Sequence, residues 1–204
     1  MASHVPTSMT PTEIATQKDD MRRKMRARRN ALTHQERAVA SQKIALRVLE
    51  VVPHHAKIIA LYLANKNEAS LDAVIQSFIA DERIVVAPRV GARPLFARLT
   101  TLENLRTNAR GLRFPDSDEQ FSAWEIDVVI TPGVAFDASG NRLGQGGGWY
   151  DKTLERARAK NAVAPLVIGV CYDCQVVNQV PQNQFDQRVD MILTEDRVLD
   201  VRKL

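Results

Sequence analysis

Apolar positions along the chain fall into two rhythms. Lys57-Ile58-Ile59-Ala60-Leu61-Tyr62-Leu63 is a short, nearly continuous apolar run, the pattern of a strand buried on both faces. Arg83–Ala87, stopped by Pro88, and Ile126–Thr131, ended by Pro132-Gly133, read the same way, as do Pro165–Cys171 and Val189–Leu193. Pro94–Leu99 predicts an edge strand. Between these runs the spacing turns helical. Lys18 to about Asn30 is helix-compatible, with Met21, Met25 and Leu32 near that spacing. Thr33-His34-Gln35-Glu36 matches a capping box, and Val39, Ile44, Leu46 and Leu49 predict a second helix ending before Pro53. Ser70 is placed to cap a third through Leu71, Val74, Ile75, Phe78 and Ile79. Lys152–Lys160 predicts a fourth. Thr101–Trp124 is polar and irregular and yields no assignment.

Strands alternating with helices predict an α/β fold: a largely parallel, mixed sheet with helices on both faces, a Rossmann-like three-layer arrangement. A single domain is expected over residues 18–204. Residues 1–17 are rich in Ser, Thr and Pro with no apolar core, so a disordered tail is expected there rather than a secretory signal. No apolar run is long enough to span a bilayer; no membrane partner and a cytoplasmic location are expected. In such sheets ligands gather beyond the carboxyl ends of the strands, so the loops after Leu63, Thr131 and Cys171 should meet at one edge.

Charge changes the picture in one place. The formal net charge is +4, but Lys18, Arg22, Arg23, Lys24, Arg26, Arg28 and Arg29 crowd a single segment against Asp19 and Asp20. Such a cluster can serve as a solvated face, or bind nucleic acid or an acidic small molecule. The basic residues fall on all sides of the helix and no aromatic is interleaved to stack on bases, which argues against a nucleic-acid module. Cys171 and Cys174 lie at a strand end with no second pair to complete a zinc site, and read as two reduced thiols.

The candidate chemistry centres on Arg142-Leu143-Gly144-Gln145-Gly146-Gly147-Gly148-Trp149-Tyr150-Asp151. A glycine loop running into a helix N-terminus points unpaired amides and positive dipole at an anion. The segment lacks the Gly-Lys-Ser/Thr of a Walker loop, and Trp149 occupies the third-glycine position of the dinucleotide fingerprint. It reads as a phosphate cradle, with a surface loop as the alternative. Asp151 is suited to hold Mg²⁺ beside phosphates, or to cap the helix. Glu68, just past the first strand, can orient a polar substrate group or act as a carboxylate at a helix N-terminus. Asp186 and Asp190 could reach the same edge. Arg142 could neutralise a phosphate or a developing charge. The residues alone indicate a phosphate- or nucleotide-handling α/β enzyme, with a small-molecule phosphotransferase among the open alternatives.

From about Lys18 to Glu195 the chain resembles the 5-formyltetrahydrofolate cyclo-ligase family. The strongest element is Pro132-Gly133-Val134-Ala135-Phe136-Asp137, then Gly140-Asn141-Arg142-Leu143-Gly144 and the glycine run into Tyr150-Asp151. Lys18-x-x-Met21-Arg22, Arg28-Arg29, Tyr62, Leu63, Glu68, Pro88-Arg89, Gln175, Val180-Pro181, Asp186, Val189-Asp190 and Thr194-Glu195 support it. Two positions depart: Trp149 stands where the family usually has a tyrosine, and Phe114-Pro115 where many members have Glu-Pro. The resemblance implies an ATP- and Mg²⁺-dependent ring closure of 5-formyltetrahydrofolate, polyglutamylated forms included, to 5,10-methenyltetrahydrofolate, by a monomer with no nucleic-acid partner. It assigns catalytic roles to Lys18 and Arg142. ATP would be bound by Lys18, Arg22, Arg142, Leu143, Gly144, Gln145, Gly146, Gly147, Gly148, Trp149 and Tyr150. Folate would be bound by Leu63, Glu68, Gln145, Gly146, Gly147, Gly148 and Trp149, and Mg²⁺ by Asp151 and Asp186.

Overall fold

Thr10 and Glu13 open the fold. The Glu13 amide donates to the Thr10 hydroxyl at 3.3 Å, and the Thr10 amide donates to the Glu13 carboxylate at 2.7 Å. With Pro11 pre-set at the first helical position, this capping box starts helix α1, Pro11–Ala31. The structure, a computed structural model, describes residues 10–89, 94–103, 105–109, 111–160 and 164–203. Residues 11–17, expected within a disordered tail, are therefore helical, because a Thr-Pro-x-Glu start outweighs the polar composition. Residues 1–9 of that tail lie outside the described residues.

Thr33 and Glu36 form the second, predicted capping box, and helix α2 spans His34–Val51. Its buried stripe is Ala40, Ser41, Ile44, Ala45 and Val48. Val39 and Leu46, expected on that face, are 48% and 63% exposed; small residues let α2 lie close to the sheet, and packing rather than hydrophobicity selects the face. Strand β1 is Ile58–Ala60, shorter than predicted, although the Leu61 amide still donates to Val86 O at 2.9 Å. Helix α3 is Asp72–Ala80, and the Ser70 hydroxyl accepts from the Asp72 amide at 3.3 Å. Strand β2 is Ile84–Pro88 and β3 is Phe96–Arg98. The stretch that gave no assignment holds a hairpin, β4 Leu105–Thr107 with β5 Arg113–Pro115, then β6 Gln120–Phe121. Strand β7 is Val128–Pro132. Beyond it come β8 Ala135–Asp137 and β9 Arg142–Leu143, then helix α4, Trp149–Lys160, and strand β10, Leu166–Val170. The chain closes through β11 Val176–Val177, β12 Met191–Leu193 and β13 Val198–Asp200.

The main sheet runs β13-β12-β10-β7-β1-β2-β3-β6. The five central strands are parallel; β13 runs antiparallel to β12, β3 antiparallel to β2, and β6 antiparallel to β3 and so in the direction of the central five. Strand β3, expected at the edge, is covered by β6, whose two residues were too few to read as a strand. Successive residues of each central strand pack to opposite sides. Ile59, Val85, Val128, Ile168 and Met191 meet α2 and α3, while Ala60, Val86, Val129, Val167 and Ile192 meet α4. This alternation buries both faces and gives the three predicted layers.

A smaller sheet, β11-β8-β9, stands past the carboxyl end of β7. Buried Asp137 organises it, accepting from the amides of Ser139, Asn141 and Val180 and from Asn141 Nδ2. The Phe136 ring wedges between Gly133 and Gly169, where an added Cβ would sit 2.4 Å from it on either side. Gly169→Ala should therefore overpack the core and lower stability by about 1–3 kcal/mol in urea unfolding. Gly147→Ala, with open space at that position, should change it by less than about 0.5 kcal/mol.

Candidate active site

Strand β9 ends at Leu143 and α4 begins at Trp149, so the glycine loop spans residues 144–148 with no room for other structure. Gly146 and Gly148 have φ of 107° and 63°, conformations a side chain would strain. The helix starts earlier than Lys152, which puts Trp149, Tyr150 and Asp151 in its first turn, where the amides lack intrahelical partners. Gln145, Gly146 and Gly147 are exposed. The glycine segment is thus an open loop feeding a helix N-terminus.

Helix α1 closes over this loop. Arg22 Nε donates to Gly144 O at 2.9 Å. Arg26 donates to Gln145 Oε1 through Nε at 3.1 Å and Nη2 at 2.6 Å. Lys18, 7% exposed, pairs with Asp186. Arg29 Nη1 lies 3.7 Å from Glu68 Oε1. Lys18, Arg22, Arg26 and Arg29 are spaced four, four and three residues apart, so they form one stripe facing the protein. Four of the basic residues thus share one face, while the others project from the remaining sides, so the cluster falls on all sides of the helix as expected. Arg23, Lys24 and Arg28 are exposed on those sides, and Arg26 is exposed at the margin of the shared face. Arg26 and Arg29 are site neighbours that the motif alone does not assign, and their i+4 and i+7 spacing from Arg22 is the signal that points to them. A cavity of about 560 Å³ opens between α1 and the loop, lined by Asp19, Arg22, Arg23, Arg26, Ala27, Asn30 and Gln145.

Arg142 sits behind the cradle. Its side chain is 2% exposed, and Nη2 donates to Asp151 Oδ1 at 2.6 Å. Its guanidinium also lies 5.6 Å from the Tyr150 ring. In this arrangement it supports the loop and orients Asp151. Its guanidinium lies behind the loop, and a direct contact with phosphate is untested by this arrangement. The Asp151 carboxylate also accepts from the Gln187 amide at 3.2 Å, which draws the Asp186 segment to the same place. Asp190 does not join them: it accepts from the Val167 amide at the amino end of β10. Trp149 meets Tyr150 edge-on at 4.8 Å and Phe96 at 5.1 Å. Burial, then the Glu68 charge, pushes the Tyr150 hydroxyl well above its ordinary pKa, so it remains a protonated donor at neutral pH.

Glu68 is brought to the loop from the β1 side. Gln145 Nε2 donates to Glu68 Oε1 at 3.4 Å, and the Asn65 amide donates to Glu68 Oε2 at 3.0 Å. Its bonds close the turn after Leu63 and reach the glycine loop, rather than capping α3. Leu63 is half-buried against the α2–α3 side of the core. Cys171 and Cys174 are free thiols, and burial pushes the pKa of both upward, which fits inert reduced cysteines.

Three comparisons bear on this arrangement. The 5-formyltetrahydrofolate cyclo-ligase family model matches residues 14–195. A 5-formyltetrahydrofolate cyclo-ligase from Haemophilus influenzae is 34% identical over 170 residues, covering 80% of this chain and 88% of that one. The mouse protein of that name is 27% identical over 199 residues, covering 92% and 98%. Among solved structures, 5,10-methenyltetrahydrofolate synthetase from Aquifex aeolicus superposes with a TM-score of 0.78 at 32% identity, covering 91% of this chain and 93% of that one. The matched stretch runs from α1 to just past β12 and takes in the basic stripe, Glu68, the glycine loop, Asp151 and Asp186: the chain belongs to the 5-formyltetrahydrofolate cyclo-ligase family.

Proposed function

We propose that this site joins ATP to 5-formyltetrahydrofolate and closes the folate to 5,10-methenyltetrahydrofolate, releasing ADP and phosphate. The observation that carries the reading is a glycine loop clamped by a cationic helix, within a family match over residues 14–195. Membership makes the chain an ATP-dependent ligase of folate; the roles below are our assignment.

A formamide oxygen is a poor leaving group. In the proposed route it attacks the γ-phosphorus, the bond to ADP breaks, and an imidate-like phosphate forms. N10 of the same folate then attacks the formyl carbon, phosphate departs, and the N10 proton is lost. Positioning and charge stabilisation carry most of the catalysis. The amides of residues 144–148 and the α4 N-terminus would cradle the phosphates. Lys18 and Arg22 would contact them from α1, with Arg142 holding the loop from behind. Leu63, Glu68, Gln145 and the Trp149 face would hold the folate, with Tyr150 beside them.

For Mg²⁺, the donor set fits. Asp151 and Asp186 are linked through the Gln187 amide, and each makes its described contacts through one oxygen, Oδ1 and Oδ2 respectively. No cluster of three or more metal-ligating side chains occurs among the described residues, as suits an ion that takes one or two carboxylates plus phosphate oxygens. Once bound, the ion would neutralise charge on those oxygens. The proposal extends to a cytoplasmic monomer that accepts glutamylated folates and does not bind nucleic acid. Among the described residues no helix is long and apolar enough to cross a membrane, and Lys18, Arg22, Arg26 and Arg29 of α1 are engaged by Asp186, Gly144, Gln145 and Glu68.

Mixing the protein with Mg²⁺-ATP and 5-formyltetrahydrofolate should produce the methenyl absorption band, with ADP and methenyl product in equal amounts. Conversion without ATP would rule the reading out. Lys18→Ala and Arg22→Ala should each raise KM for ATP about tenfold or more, the loss expected for a charge-assisted contact, and change KM for folate much less. Arg23→Ala and Lys24→Ala should have little effect; equal small effects at all four sites would indicate diffuse electrostatics instead.

The two carboxylates should separate. Asp151→Asn should impair the Mg²⁺ response, with partial rescue by raised Mg²⁺, and should lower thermal stability because it leaves Arg142 buried without its charge partner. Glu68→Gln should weaken folate capture and leave ATP and Mg²⁺ binding nearly intact. Equal loss of ATP binding in both would show the folate to be misplaced.

A further inference from the structure

Among the described residues four buried side-chain atoms have no hydrogen-bond partner, and three are guanidinium nitrogens: Arg29 Nε, Arg142 Nε and Arg89 Nη1. Arg29 and Arg142 face Glu68 and Asp151 through their other nitrogens. Arg89 has no role in the function derived so far. Its backbone amide donates to Leu95 O at 2.9 Å, fixing the chain where β2 leaves the sheet. Its Nη1 is shut off from solvent with no acceptor among the described residues, a costly state for a group that always carries charge.

The position of Arg89 suggests what would supply that acceptor. Strands β1 and β2 are parallel with Ala60 opposite Val86. Carrying that register past the strand ends sets Arg89 beside Leu63. On the other flank Pro88 pairs with Phe96, whose ring packs against Trp149. Arg89 thus stands at the carboxyl edge of the sheet between the two residues given to the folate. The glycine loop is gripped by other cations, Arg22 and Arg26, from α1. A guanidinium fork matches a carboxylate bidentately, and the carboxylates of a folate lie on its glutamyl residue, at the far end of the p-aminobenzoyl ring from N10.

We propose that Arg89 binds the glutamyl α-carboxylate of the folate. This inference rests on the cyclo-ligase reading. The contact anchors one end of the p-aminobenzoyl group, so that N10 at its other end is held for attack on the activated formyl carbon. It also gives a substrate with a glutamyl residue an advantage over one without.

The test compares 5-formyltetrahydrofolate with 5-formyltetrahydropteroate, which lacks the glutamyl residue, in the wild type and in Arg89→Met. Equilibrium binding of each, and kcat/KM at saturating ATP, are both measured. The wild type should prefer the glutamyl compound about tenfold or more, in keeping with a charge-assisted contact. Arg89→Met should lose that preference through weaker binding of the glutamyl compound alone, with KM for ATP unchanged. Arg89→Lys, which keeps the charge and loses the fork, should fall between. The ratio within one preparation is independent of how much of the variant is folded. A preference that survives in Arg89→Met, or an equal fall for both compounds, would overturn the assignment. If neither compound is turned over by the wild type, the cyclo-ligase reading fails, and that result is distinguishable from failure of the Arg89 assignment.

Discussion

The ion pair between Arg142 and Asp151 is the constraint on which the site depends. Arg142 opens β9, the strand that leads into the glycine loop, and Asp151 lies in the first turn of α4, so the 2.6 Å contact ties together the two ends of the loop. A loop this rich in glycine gives up unusual backbone freedom when ordered. The tie limits that freedom from behind. The bonds from Arg22 to Gly144 and from Arg26 to Gln145 limit it from in front. Between the two the amides stay exposed, and an anion can reach them without rebuilding the loop.

The same pair explains why the small sheet exists. Arg142 must emerge from a rigid element if its buried charge is to meet Asp151 in one geometry. Asp137 supplies that rigidity by gathering four described donors at the β8–β9 turn and the Val180 segment. The Phe136 ring then locks β8 against β10 at Gly169. A surface turn is thereby coupled to the centre of the main sheet, and the phosphate cradle inherits the order of the core.

What the sequence made legible follows from the range of the interactions. The apolar runs at 57–63, 83–87 and 126–131 were readable because burial on both faces leaves an unmistakable composition. The Thr33–Glu36 box was readable because its partners are three residues apart. The strands of two or three residues, β4 to β6, β8, β9, β11 and β13, were not, since their pairing is set by distant partners rather than by a local period. Thr10-Pro11-Glu13 is a local signal that polar composition masked. At the site, the glycine loop, Asp151 and Glu68 declared their position by chain adjacency. That Arg142 lies behind the loop, and that Asp190 faces the opposite end of the sheet from Asp186, are facts of tertiary burial that a linear pattern does not carry.

Charge balance links the architecture to the proposed chemistry. Lys18 holds Asp186 and Arg142 holds Asp151, so each carboxylate assigned to Mg²⁺ already has a cation. Breaking such pairs by taking one partner away is expensive where water is excluded. Arrival of Mg²⁺ together with ATP brings both signs at once: the phosphates offer anionic partners to the α1 cations and the metal offers a cationic partner to the carboxylates. Neither ligand alone satisfies both sets of groups. On this argument binding of the nucleotide and the metal should be mutually reinforcing, and the ligand-free site keeps its side chains in place without leaving a buried carboxylate unpaired while it waits.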